Sequence, residues 1–423
     1  MSTDAQAGEA TTPANPDRRQ AAMPFILVAV LIDMMSIGII VPVLPMWVGS
    51  FTTSPAEQAY WLGVVSFTFG LASFVASPIL GALSDQYGRR PVLLIGFLGL
   101  AITFFATAAA TAIWMLIAVR LLGGAMQSNA SVAQAYVADI TDKENRAKRF
   151  GMLGAMFGLG FILGPALGGV LGAIDLRLPF VVAGCLALIN LIYGYRVLPE
   201  SLPADRRRKF NWRSANPLSA FVALASHQGI GALVAVLACA GLAQGLLYNS
   251  WVLFTHFKFG WGAQENGASL AAVGVMSVIV QGWLLGKLLK RVSARRLAVM
   301  GLLSSSLAYG LWGASTSGTM MIAVIFANVL GFTVNASIQS IVSGAVDGKS
   351  QGQTLGATSS INSLTAVIAP VISAPMLMAV SGYPQGDWRI GAPMYLGSAL
   401  LALGLLFAWL HFRHHAATES SSA

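Results

Sequence analysis

Residues 23–48 read MPFILVAVLIDMMSIGIIVPVLPMWV, an apolar run with a single charged side chain, Asp33. About 20 apolar residues suffice to cross the hydrocarbon core of a bilayer as a helix. At ~1.5 Å per residue, Asp33 falls roughly half-way through such a helix. Hydrocarbon penalises the charged form of a carboxyl, so an acid that gains and loses a proton at this depth is a natural coupling group. The plainer reading is a structural Asp bonded to a neighbouring helix. Acids inside membrane helices are functional by default, which favours the first.

The rest of the chain repeats the pattern. Of 423 residues, 56% are hydrophobic and 10% charged, with a mean hydropathy of +0.71. A soluble domain carries about 25% charged residues. The apolar surplus comes as separate runs of spanning length, so the class is all-α and polytopic in the membrane. The formal net charge of +9 does not point to nucleic acid, because of where it lies. Basic residues fill every second loop: Arg89 and Arg90, then Lys143 to Arg149, then Arg206 to Lys209 and Arg213, then Lys287 to Arg296. The alternate loops hold only Arg177, Lys258 and Arg389. By the positive-inside rule both termini and the middle loop are cytoplasmic, which places the chain in the cell's inner (plasma) membrane. Cys185 and Cys239 fall in apolar runs and offer neither a disulfide framework nor metal-ligand spacing. His411, His414 and His415 read as part of a tail flanking the last helix.

Turn punctuation gives twelve helices, at about 22–49, 58–83, 90–109, 112–139, 147–173, 178–198, 229–254, 264–289, 295–315, 318–344, 351–380 and 390–413. The one long polar break begins at PESLPADRRRKFNWRSAN, 199–216. The organisation read from this is a disordered cytoplasmic tail 1–21, a six-helix bundle 22–198, a cytoplasmic linker 199–228, a second bundle 229–413 and a tail 414–423. A shift of 205 lays Gly81 on Gly286, Arg90 on Arg295, Asp142 on Asp347, Gly151 on Gly356 and Pro165 on Pro370. Two repeated halves around a mid-membrane site is a transporter plan.

Three motifs carry chemistry. In GALSDQYGRR, 81–90, Gly81 and Gly88 allow close approach and a tight turn, Asp85 and Arg89 can pair, and Arg90 can reach helix-end carbonyls. Arg120, inside the fourth helix, needs a partner or water. It either modulates Asp33 or bonds backbone carbonyls only. In GLGFILGPALGG, 158–169, Gly160, Gly164 and Gly168 share one helix face, followed by Gly169, while Pro165 frees a carbonyl.

These stretches resemble the major facilitator superfamily. The 81–90 loop looks like its G-x-x-x-D-x-x-G-R-R/K loop, Arg120–Gly124 like its fourth-helix motif, and 158–169 like the G-x-x-x-G-P-x-x-G-G motif of its antiporters. The likeness to the drug–proton branch, and to tetracycline/proton antiporters within it, runs from about 22 to 412. It implies an Asp85–Arg89–Asp139 cluster that latches the outward-facing state, and export in exchange for protons. It also implies departures. Thr103, Ser277 and Ser305 stand where those antiporters carry an acid, a histidine and an acid, which weakens tetracycline–magnesium as the substrate.

The remaining polar candidates for a substrate cavity are Gln127, Asn129 and Gln134, then Gln244, Tyr248 and Asn249, then Gln281, Asn335, Gln339 and Asn362. Each is about as apt to make an interhelical bond, worth ~0.6 kcal/mol. Trp251 and Trp283 suit either a flat substrate or the membrane interface. With no nucleotide-binding loop and no hydrolase motif, neither an enzyme nor an ATP-driven pump is indicated. The expectation is therefore a carrier of a small amphipathic compound, monomeric, in the lipid bilayer, without cofactor or metal and powered by the proton gradient. Its rivals are a proton symporter or uniporter that imports a solute, and a non-transporting sensor of the same fold.

Overall fold

The computed structural model describes residues 16–127, 129–141, 145–210, 231–344 and 351–421. Asp142 and Asp347, tail residues 1–15, linker residues 211–228 and the last two residues lie outside the described residues. The first half holds α1 (Pro16–Ile40), α2 (Leu44–Gly49), α3 (Pro55–Tyr87), α4 (Arg89–Ala108), α5 (Ile113–Met126), α6 (Asn129–Ile140), α7 (Arg146–Ile174) and α8 (Leu178–Val197). The second holds α9 (Gly231–Phe259), α10 (Ala263–Ile279), α11 (Leu285–Leu289), α12 (Ala294–Ala314), α13 (Gly318–Ala327), α14 (Val334–Gly344), α15 (Gln351–Val380) and α16 (Ala392–Ser421). Among the described residues, ten helices are long and apolar enough to cross a membrane, or eleven if the pair bent by 49° at residues 328–329 is one span.

Several runs read as single helices are broken. The run 22–49 turns at Val41–Val43, where Pro42 has no N–H to give and Val43 N–H bonds the Ile40 carbonyl at 3.0 Å. The fourth run stops at Met126 and restarts at Asn129. The tenth breaks through a 3₁₀ turn at Leu330–Thr333, and the eighth carries a π-helical turn at Val280–Leu284. The shift of 205 carries Gln127 onto Phe332, inside that 3₁₀ turn. Helices interrupted at matching places in two repeats point to the binding region between them.

The packing follows the repeat. In the first half α1 lies on α7 and α8, and α4 on α8. In the second, α9 lies on α15 and α16, and α12 on α16. The halves meet along two seams, α7 with α10 and α3 with α15, which the repeat exchanges. Both seams are backbone contacts made by glycine. On α7, Gly160, Gly164 and Gly168 face α1; a methyl group on Gly164 would stand 2.7 Å from the Gly38 Cα, and one on Gly168 would collide with the Ile39 carbonyl. Gly169 faces the other way, where its methyl would lie 2.8 Å from the Ala263 carbonyl oxygen, and one on Gly267 would lie 2.5 Å from the Pro165 carbonyl oxygen. Across the second seam, a methyl on Gly70 would lie 3.2 Å from the Ala366 carbonyl oxygen.

These contacts run from mid-helix to the end bearing the loops around 175–177 and 260–262. At the basic end, Gly81, Gly151, Gly154, Gly282 and Gly286 have no described atom within 4 Å of an added methyl. The sequence gives Gly81 a close-approach role; among the described residues no neighbour reaches it, and the two halves are apart at this end.

Gly164→Ala is expected to destabilise the detergent-solubilised protein by ~1–3 kcal/mol, the usual range for an overpacked contact. Gly151→Ala, with nothing within 4 Å of the added methyl, should leave the thermal midpoint unchanged or slightly raised. Thermal unfolding of the two variants side by side checks both.

Candidate functional site: a buried carboxyl, a central cavity and a charge cluster

Asp33 on α1 is buried, with 4% of its surface exposed. Its partner is Asn129, the first residue of α6, whose Nδ2 donates to the Asp33 Oδ1 at 3.3 Å. Asn129 reaches it because α4 offers Gly96 at that level: a side chain on Gly96 would collide with the Asn129 carboxamide. One turn earlier on α1, the Ala29 carbonyl accepts from the fully buried Asn190 of α8 at 2.8 Å. Arg120 is not bonded to Asp33. Its guanidinium carbon lies 5.7 Å from the Phe69 ring centre, and its Nε and Nη2 are buried with no hydrogen-bond partner among the described residues.

The second half serves as an internal control. The shift of 205 carries Asp33, Gly96 and Asn129 onto Ala238, Gly301 and Val334. The close approach survives there, since a methyl on Gly301 would lie 2.9 Å from the Val334 Cγ2. The polar pair does not. The fold therefore asks only for a glycine beneath that helix restart, and the carboxyl–carboxamide pair is an addition to the first half.

Between the halves lies a cavity of about 460 Å³, walled by α1, α2, α3, α4, α5, α9 and α15. Arg120 lines it, as do Gln127, Tyr248, Asn249 and Asn362 among the polar candidates. Ile37, one turn beyond Asp33 on α1, lines it, whereas Asp33 does not. Thr103, with its hydroxyl bonded to the Leu100 carbonyl at 2.9 Å, forms part of the wall. The other candidates lie elsewhere. Asn129 is turned to Asp33, and Gln134, Gln244, Asn335 and Gln339 are exposed outside the lining. Gln281 sits in the π-helical turn and donates to the Ser277 Oγ at 2.5 Å. Neither tryptophan lines the cavity. Trp251 is buried, donating to Ser269 Oγ at 2.9 Å and meeting Trp312 edge-on, and Trp283 is exposed beneath the Lys287 ammonium.

At the basic end, the turn between α3 and α4 is built around Gly88, whose φ of +106° disfavours any side chain. Arg89 bonds Asp85 at 2.7 Å and Asp139 at 3.0 Å. The structure adds a member that residue spacing did not reveal, Glu200, at the start of the stretch after α8. Its carboxylate accepts the backbone N–H groups of Arg89 at 2.9 Å, Arg90 at 3.3 Å and Leu202 at 3.0 Å. Arg90 donates to the Tyr195 carbonyl at 2.6 Å, and the Tyr136 hydroxyl to the Pro199 carbonyl at 2.8 Å. Ser201 joins Asp139 at 3.3 Å. Among the described residues, every partner in the cluster belongs to the first half or to the chain just after it.

A sequence profile of the Major Facilitator Superfamily matches residues 26–370. The chain belongs to that superfamily. This facilitator is 34% identical to the class C tetracycline resistance protein of Escherichia coli over 376 residues, covering 89% of this chain and 94% of that one. It is 33% identical to the class D tetracycline resistance protein of Salmonella ordonez over 386 residues, covering 90% and 95%. Among solved structures, the fold matches a bacterial homologue of the human lysosomal transporter Spinster in an inward-facing, occupied conformation, with a TM-score of 0.74, 15% identity and coverage of 95% and 98%. It also matches the human organic anion transporter MFSD10, with a TM-score of 0.69, 22% identity and coverage of 94% and 100%. The facilitator is thus a membrane-embedded carrier of small molecules rather than an enzyme.

Glu200→Gln keeps the shape but removes the charge facing three N–H groups. A loss of about 1–2 kcal/mol of stability is expected, as for charge-assisted bonds at a partly exposed site. A thermal midpoint equal to that of the wild type would contradict the role given to Glu200.

Proposed function

We propose that this facilitator is a proton-coupled exporter of small amphipathic compounds, with Asp33 as the coupling carboxyl. The observation that carries this reading is the buried Asp33–Asn129 pair, one turn from the cavity wall and without counterpart in the second half. A polar pair that the fold does not need, beside the cavity, is matched to a task.

The cycle runs as alternating access. The separation at the basic end, with the opposite end sealed by glycine seams, corresponds to an inward-open state if the basic loops are cytoplasmic. Substrate enters from the cytoplasm or inner leaflet while Asp33 is deprotonated. The halves rock on the α7–α10 and α3–α15 seams. Protonation of Asp33 from outside weakens substrate binding, and the protonated carrier returns to release its proton inside. Because Asp33 stands behind the cavity wall, the two ligands communicate through α1 and not by direct contact. A proton entering down 100 mV supplies ~2.3 kcal/mol, before any pH gradient. The charge cluster around Arg89 steadies the first half as a rigid body, and in the outward-facing state it also meets the second half.

The relatives' names make tetracycline one candidate substrate. Thr103 in the cavity wall, and Ser277 and Ser305, weigh against the metal-chelated form. The site is in the inner membrane, both termini are cytoplasmic, and the working unit is the monomer.

In a host lacking its own pumps, the protein is expected to raise resistance to at least one amphipathic compound of a broad panel. Asp33→Asn, at equal membrane abundance, should abolish that resistance. Asn129→Val, which copies the second half, should fold normally and export poorly. Full resistance in the Asp33→Asn strain would remove the proton role. In everted vesicles acidified inside, accumulation of the compound identifies an exporter, and depletion an importer.

A further inference from the structure

Among the described residues, the cavity lining carries one charged side chain, and it is positive. Arg120 projects from α5 into a wall otherwise made of apolar and neutral polar groups, with no described Asp or Glu in the lining. A guanidinium carries five N–H donors and stays charged in any protein setting. Two of its nitrogens, Nε and Nη2, are buried without a partner among the described residues. These two nitrogens are closed off from solvent, so an anion in the cavity would reach them only after a shift of the side chain; the charge itself faces a lining that supplies no carboxylate to offset it.

The fold does not demand the charge. The shift of 205 lays Arg120 on Ile325, which is fully buried in the second half. An aliphatic side chain thus satisfies the same helix position where only packing is at stake. Nor do the described residues supply the anion in this state. Asp33 is engaged by Asn129 and does not line the cavity.

We infer that the cavity takes an amphipathic organic anion, its acid group bound by Arg120. This names the substrate class of the exporter proposed above and rests on that reading of the cavity. Phe69, already stacked against the guanidinium, and Phe74 and Phe104 face an apolar or aromatic body. Gln127, Asn249 and Asn362 offer neutral donors and acceptors to hydroxyl or carbonyl substituents. The volume of about 460 Å³ lies within the range of small-molecule sites. A compound whose net charge is positive meets the opposite electrostatics: it gains no carboxylate and faces a cation it cannot displace.

The test uses three probes with one ring system, 1-naphthoate, 1-naphthamide and protonated 1-naphthylmethylamine, on purified full-length protein in a neutral detergent without any gradient. Binding is read by tryptophan fluorescence quenching and by thermal shift. The expected order is anion, then amide, then cation, with the anion bound about tenfold tighter than the amide, the gain of one charge-assisted contact. Arg120→Gln should bring that ratio near one, and Arg120→Lys should retain part of it. Tighter binding of the amine, an undiminished preference for naphthoate in Arg120→Gln, or no naphthoate binding by the wild type up to its solubility limit would each overturn the inference. If Arg120→Gln does not fold, the wild-type order and Arg120→Lys decide. Asp33→Asn, which mimics the protonated carrier, should bind all three probes more weakly but in the wild-type order. Loss of gradient-driven export with that order intact supports both assignments; retained export overturns the proton role alone, and a lost order in Asp33→Asn overturns the assignment of the anion to Arg120.

Discussion

Helix α7 can touch two partners at backbone distance because glycines line opposite sides of it. Its 160/164/168 face meets α1 inside the first half, while Gly169, with the Pro165 carbonyl, meets Gly267 and Ala263 across the seam. In a membrane, lipid competes with side chains for apolar contact, so helices associate chiefly by close van der Waals fit. Glycine gives the closest fit available, and larger residues at these points would push the halves apart. The helix that carries Asp33 and the helix that seals the second half are therefore both held by α7. A displacement of either one is felt by the other, which is the mechanical requirement of coupling proton and substrate across a wall.

Against that frame the polar groups are sparse and individually placed. Each buried polar atom in hydrocarbon needs a partner, and most have one: Asn190 on the Ala29 carbonyl, Trp251 on Ser269, Asn129 on Asp33. Among the described residues the departures, besides Arg90 Nε at the basic end, are Arg120, with two buried nitrogens unpaired, and three neutral oxygens, Asn190 Oδ1 and the Ser250 and Ser337 hydroxyls; of these only Arg120 is charged. Comparison of the halves sorts these groups by purpose. Glycines 96 and 301 recur because both helix restarts need room, whereas Asp33, Arg120 and Asn129 become Ala238, Ile325 and Val334. Repetition marks what the fold needs, and the groups that fail to repeat are the ones to which the proposed function gives a task in transport.

The charge cluster at the basic end obeys a different economy. Asp85, Asp139 and Glu200 surround Arg89, and three of the bonds go to backbone N–H groups rather than to side chains. Such bonds fix the turn at Gly88 and tie the first residues after α8 to it, so the six helices move as one piece. The stretch 199–208 is not a loose tether: the Arg208 N–H bonds the Asp85 carbonyl at 3.0 Å.

Much of this was legible in the residues themselves. Hydrocarbon thickness fixes span length, and charge cannot sit in the core without cause. The apolar runs therefore reveal the spans, and Asp33 and Arg120 stand out. Glycine spacing at 160, 164 and 168 identifies a close-packed helix face, because helical periodicity is a local property. What periodicity cannot supply is the rotation of one helix against another, or where a helix breaks. The restart at Asn129 turns that residue away from the cavity and onto Asp33, and leaves Arg120 against Phe69. Gln134, Gln244, Asn335 and Gln339 are as polar as Gln127 and Asn362, yet only the latter two face the cavity. Glu200 is more than a hundred residues from Arg89 in sequence and bonds it only through the fold. The sequence by itself determined the spans, the repeat and the unusual charges. Tertiary packing alone decided which of those charges meet, because that depends on contacts between helices far apart along the chain.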